Sequence, residues 1–294
     1  MDMSENLIDA EKPSSAQIDE EARQIVIDIG IPPCPAILTR LLRDMREDEP
    51  DFAAIGKMLS SDMSLAASML KTVNSPFYGL GRKATSIQQA LALLGLQNVA
   101  RLVTGLLLQQ VFAVSNSEAM EDFWSNAARV AALTAQLART LRCADRDEAY
   151  TFGLFRDCGM PLMASRYADY ADLLGANALA PGRTLLEVEE ERYGVNHALV
   201  GFHMATGWYL SAKLCQAIQH HHNAHMLAKD GPLGGSSVLV ALGVLAERID
   251  TLSQEGEAAV DALWPVTGPA VLRCLEITED DVVRLTAEAL ALEN

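Results

Sequence analysis

All six histidines of the chain lie between His197 and His225, and three of them, His220, His221 and His222, are consecutive. Imidazole is the side chain best suited to carry a proton near neutral pH or to ligate a transition metal. Neighbouring residues of a helix point about 100° apart, so three consecutive histidines cannot all reach one ion from a regular helix. His221 and His225 share a face at i, i+4 and would make an adventitious pair for Zn²⁺ or Ni²⁺. The plainer reading places the run at a helix C-terminus, where imidazoles meet exposed carbonyls. The acidic run Glu187, Glu189, Glu190 and Glu191 reads as a solvated helix face rather than a cation site. Five scattered cysteines (Cys34, Cys143, Cys158, Cys215, Cys274) show no Cys-x-x-Cys pair and read as free thiols in a reducing compartment. There is no glycine-rich phosphate loop, no Gly-x-Gly-x-x-Gly and no Gly-x-Ser-x-Gly turn.

The elements that must position these residues are helical almost throughout. Ile31-Pro32-Pro33-Cys34-Pro35 is an extended stop, because each proline disfavours helix in the residue before it. Ile37, Leu38, Leu41, Leu42 and Met45 then follow helical spacing. Asp62 is placed to cap a helix carrying Leu65, Met69, Leu70 and Val73. Ser86-Ile-Gln-Gln89 and Thr184-Leu-Leu-Glu187 are capping boxes, with Gly95 and Gly194 as the matching stops. Leu210, Leu214 and Ile218 lead into the histidines, and Val238, Leu242, Leu245 and Ile249 mark a later helix. No stretch alternates convincingly as a strand does. The expected fold class is all-α.

Half the residues are hydrophobic and few are aromatic, which suits packed helices. The formal net charge of −16 disfavours phosphate backbones and anionic lipid, both of which call for clustered Lys and Arg. No nucleic-acid or membrane partner is therefore expected. The acidic start of the chain does not resemble a secretory signal, and no apolar run has the length of a membrane span. A cytoplasmic location is expected.

Three segments in order carry a family resemblance. They are Pro32-Pro33-Cys34-Pro35 with its following helix; Ser61-Asp62 through Asn74-Ser75-Pro76-Phe77-Tyr78-Gly79; and Thr85-Ser86-Ile87 through Leu94-Gly95. Residues 31 to about 225 thereby resemble the HDOD domain, a bacterial signalling relative of the metal-dependent HD phosphohydrolases. The resemblance implies an all-α HD-like fold in two helical lobes. Its expected division is an acidic tail over 1–24 and an HDOD domain over 25–230, with lobes at 25–115 and 116–230. Helices over 231–294 would pack on the second lobe. Asn74, Ser75, Pro76 and Gly79 read as a helix exit, and Phe77 and Tyr78 as aromatics packed between lobes or offered to a partner.

Against the catalytic relatives, the second lobe has lost ligands. Asn126 stands where the enzymes carry a histidine after a tryptophan, and Arg156-Asp157 replaces the His-Asp pair. His197, His221 and His222 resemble retained positions, while Val244 takes the place of a final aspartate. A guanidinium is a permanent cation with donors only, so Arg156 cannot ligate metal. The resemblance thus implies a non-enzymatic regulatory protein without cofactor or metal, acting on a regulatory protein partner. The alternatives are a residual metal-dependent phosphohydrolase, and a sensor that binds a nucleotide or cyclic dinucleotide without hydrolysis, with Arg156 gripping phosphate.

Overall fold

The computed structural model describes residues 22, 24–45, 47–74, 83–111, 118–174, 183–227, 231–255 and 263–293. Among them there are helices and turns and no strand. The acidic tail up to residue 21 and Ser75–Gly79 of the family signature lie outside the described residues.

After a helical stretch over 24–29, the first lobe contains α1 (Ala36–Asp44), α2 (Phe52–Ser60), α3 (Met63–Val73), α4 (Ile87–Leu94) and α5 (Leu96–Val111). Short polar side chains set where these helices begin. Asp51 accepts from the Ala53 and Ala54 amides, Asp62 from Leu65, and Ser86 from Gln89. Each satisfies an amide that the first helical turn leaves without a carbonyl. The box at Ser86 is not fully reciprocal, since the Gln89 side chain accepts from Thr85 instead. Gly95 stops α4 at φ +78°, a left-handed value that a Cβ makes costly. Asn74, the described member of the family signature, ends α3. Its side-chain amide bonds both the carbonyl and the amide of Ala84, as the helix-exit reading expects.

The second lobe runs through α6 (Glu118–Leu141), α7 (Arg146–Phe155), α8 (Gly159–Arg166), α9 (Tyr170–Leu173), α10 (Leu185–Tyr193), α11 (His197–Gly207) and α12 (Ala212–Gln219). The long α13 (Ser236–Glu255) packs against α6, with α14 (Trp264–Leu275) and α15 (Glu279–Glu293) beyond it. The Thr184 capping box is complete, and Gly194 closes α10 at φ +74°.

The lobes meet along α5 and α7. Arg101 on α5 pairs with Asp147 on α7 and lies over the Tyr150 ring. Trp208, 1% exposed, donates its indole N–H to the Pro32 carbonyl at 2.9 Å and meets Phe155 edge-on. The proline-rich opening is thereby fastened to the second lobe.

One close approach bears directly on the histidines. A Cβ on Gly159, at the start of α8, would stand 2.0 Å from the His197 carbonyl oxygen and 2.9 Å from the Gly201 amide. Only glycine lets α11 lie this close to the turn that carries Asp157. Gly159→Ala should therefore destabilise the fold by about 2 kcal/mol or more, the scale of overpacking in a dense core. Urea unfolding measures it, and a change below about 0.5 kcal/mol would contradict the contact.

Candidate functional site: a buried carboxylate–imidazole–guanidinium cluster

The α7–α8 turn presents two adjacent charges, Arg156 and Asp157. Arg156 caps the end of α7 with helical dihedrals and is 4% exposed. Its guanidinium bonds Asp157 Oδ2 at 2.9 Å and Glu247, on α13, at 2.8 Å. Its Nε–H finds no acceptor among the described residues. Burial works against the charge, but the carboxylates of Asp157 and Glu247 outweigh it and hold Arg156 above its ordinary pKa. Burial likewise opposes the Asp157 charge. Arg156, with hydrogen bonds from His197 and His221, overcomes that and holds the carboxyl well below the usual carboxylate range.

The other Asp157 oxygen faces the histidines. Oδ1 lies 3.0 Å from His221 Nε2 and 3.6 Å from His197 Nε2, and His197 Nε2 lies 3.0 Å from His222 Nε2. One donor atom from each of Asp157, His197, His221 and His222 falls within 4.8 Å of the others. On a regular helix His221 and His222 would point about 100° apart, but the run stands at a helix C-terminus, as the plainer reading expects. α12 ends at Gln219 with His220 as its cap, so both residues sit on a turn and both turn inward. His220 does not join, and His225, on a separate 3₁₀ turn over Ala224–Met226, is exposed. His221 and His225 therefore do not share one helix face, and the adventitious i, i+4 pair has no helix to carry it. The carbonyl contact expected at a helix end is real, since His221 Nδ1 meets the Ile218 carbonyl at 2.7 Å.

Glu189 overturns a second expectation. It is the one member of the acidic run that is fully buried, and it faces the site rather than solvent. Its carboxylate takes the Nδ1 proton of His197 at 2.8 Å, the His197 backbone amide at 3.0 Å and the Tyr170 hydroxyl. Sequence reasoning missed it because α10 lacks a clear apolar stripe. The usable signal was an acid at the i+5 position of a capped helix (Thr184, Glu189), just before the retained His197. Burial opposes a charge on His197, yet hydrogen bonds to Asp157 and Glu189 raise its pKa to about 9. Desolvation, with the charges of His221 and His197, pushes His222 down, leaving a lone pair to accept from His197. Cys158, beside Asp157, points to the Gly201 carbonyl, and burial drives its thiol pKa upward, so it offers no thiolate.

On α13 the expected substitute position, Val244, contributes no polar group; the acids that reach inward are Glu247 and Asp250, one and two turns further on. Asn126, in the place of a histidine, donates to Asp250 at 3.2 Å, and Arg129 clamps the same carboxylate at 2.8 and 3.2 Å. The four positions read as retained in the sequence are the ones the fold brings together. One half is filled by guanidinium–carboxylate pairs, while the other half gathers four metal-capable donors.

With this geometry in view, comparison with known proteins decides the family. The HDOD domain model matches residues 31–224. The chain belongs to the HDOD family. A 23% identical structure from Shewanella amazonensis SB2B, provisionally assigned as a phosphohydrolase, superposes with TM-score 0.68, covering 92% of this chain and 96% of that one. An HDOD domain protein of unknown function from Geobacter sulfurreducens gives TM-score 0.68 at 20% identity, over 93% and 99% of the two chains. An uncharacterized protein of Treponema pallidum (strain Nichols) is 25% identical over 224 residues, 72% of this chain. This chain spans 42% of that relative's length. At these identities the solved structures establish the shared HDOD-type fold.

The two ion pairs of Arg156 differ in burial, which separates their energies. Arg156→Met should cost about 3 kcal/mol, because it leaves the buried Asp157 carboxylate without its cation. Glu247, 47% exposed, is screened by water, and Glu247→Gln should cost less than about 1 kcal/mol. Denaturant unfolding of the two variants checks the order.

Proposed function

We propose that this HDOD protein is a non-catalytic regulatory module that passes a signal through contacts with a protein partner. The observation that carries the reading is the burial of Arg156 between Asp157 and Glu247. A water-activating metal centre needs an ion with an open coordination position, and a paired ion centre needs room for two cations. Here a fixed organic cation holds the second Asp157 oxygen, and the Asn126, Arg129 and Asp250 cluster ties α6 to α13 beside it. Charge that would be answered by metal in an enzyme is answered by side chains.

The names of fold neighbours do not settle the choice. One is a provisionally assigned phosphohydrolase, and another, from Marinobacter aquaeolei VT8, is a provisionally assigned signal transduction protein at 20% identity. Burial and chemistry favour signalling. The same ion pairs argue against a phosphate-gripping sensor, because Arg156 spends two arms on carboxylates and has little contact with solvent. Among the described residues no helix is long and apolar enough to cross a membrane.

The direct test is turnover. The full chain, loaded in turn with Mn²⁺, Fe²⁺, Ni²⁺ and Zn²⁺, is assayed on bis-p-nitrophenyl phosphate and on cyclic dinucleotides. The expected rate equals that of Asp157→Ala, and calorimetry with cyclic dinucleotides should show no saturable heat. Metal-dependent turnover that disappears in Asp157→Ala would overturn the proposal.

A further inference from the structure

We propose that the outer face of α14 docks a second copy of this chain, with the two α14 helices antiparallel about a two-fold axis. A helix that is apolar all round belongs in an interior. α14 is apolar on both sides but covered on one only. Its inner side buries Trp264, Val271, Cys274 and Leu275. Trp264 is clasped there, with Arg248 of α13 4.7 Å from its ring centre and Gly268 so close that a Cβ would stand 2.8 Å from the ring. The outer side leaves Val266 78% exposed, and Pro265 and Pro269 are exposed with it.

The apolar surface extends onto α15. The Trp264 indole donates to Glu279 at 3.2 Å, which brings the start of α15 to the first turn of α14. Val283, 70% exposed, stands one turn after Glu279 on the same face of α15. Exposed apolar surface rimmed by charge marks a docking face. Covering this one costs little side-chain entropy, because proline has no rotamers to lose and valine is stiff at χ1.

Charge selects the occupant. At a net charge of −16, most of the surface repels another copy. The 12 residues of α14 hold one charged side chain, and it is cationic: Arg273, exposed in the last turn. Glu279 stands beside Trp264 at the opposite end of the helix, about 13–14 Å away by the helical rise. A uniformly acidic or uniformly basic partner would satisfy one end and oppose the other. An antiparallel copy answers both, bringing each Arg273 to the partner's Glu279, as a self-complementary two-fold interface requires. Val266, Pro269 and Arg273 follow one another at i, i+3 and i+7, the seam spacing of paired helices.

One 12-residue helix with a neighbouring turn offers less than the ~800 Å² per partner of a standard interface, so the pairing is weak and reversible. Sedimentation velocity of the full chain should show the weight-average mass rising from one chain towards two between about 5 and 500 μM, the range of a small interface. Val266→Asp, at a side chain outside the core, should weaken association at least about tenfold by burying a charge. Arg273→Glu should weaken it about tenfold by setting like charges together, and adding Glu279→Arg to it should restore association to within about threefold. Met63→Asp, at an 84% exposed position on the first lobe, should change nothing. Thermal unfolding checks that each variant is folded. A chain that stays monomeric at the highest concentration, a dimer indifferent to Val266→Asp, or a charge reversal that the double variant does not restore would each overturn the proposal. Association lost in Met63→Asp would overturn it too, by placing the contact on the first lobe. Sedimentation does not read turnover, so this interface and the non-catalytic reading fail separately.

Discussion

A carboxylate carried out of water has to be answered on both oxygens, and Asp157 is where this fold meets that demand. One oxygen is held by a guanidinium and the other faces imidazoles, so four helical elements are drawn to one side chain. The α7–α8 turn supplies the acid, α11 and the α12 turn supply the imidazoles, and α13 reaches the guanidinium through Glu247. In the low dielectric of the interior such contacts are strong when satisfied and costly when broken. Keeping this one charge compensated ties these four elements to one another.

Around that point the polar groups form a nearly continuous chain through an otherwise apolar interior. It runs from Tyr170 and Glu189 to His197, across Asp157 to Arg156 and Glu247, with Asp250, Asn126 and Arg129 alongside. Fully buried Phe152, Phe155 and Trp208 belong to the apolar core of the same lobe. Cations and anions alternate along much of the chain. A net charge of −16 is thus compatible with a buried cluster in which acids find local partners.

The helical architecture was legible because its causes are local. Asp62, Ser86 and Thr184 act as caps, and Gly95 and Gly194 take the left-handed turns that their positions suggested. The retained and substituted positions of the site were also legible through the family resemblance, down to Arg156 and Asp157. What escaped depended on contacts distant in sequence. Glu189 looked like one acid in a solvated row, and only the fold shows it turned inward toward His197. The helix end before the histidines was legible, but that the turn after Gln219 brings both His221 and His222 to Asp157 and His197 was not. Glu247 and Asp250 were overlooked because attention fell on Val244, and the choice among turns of α13 belongs to tertiary packing.

The glycine contact between α8 and α11 has a mechanical consequence. Where backbone rests on backbone, as at Gly159 against the His197 carbonyl, no rotamer is available to absorb a displacement. The two helices must travel together, carrying Asp157 and His197 as one stiff body. A push on either outer end would be felt across the lobe as a tilt, in the manner of a seesaw on a hard pivot.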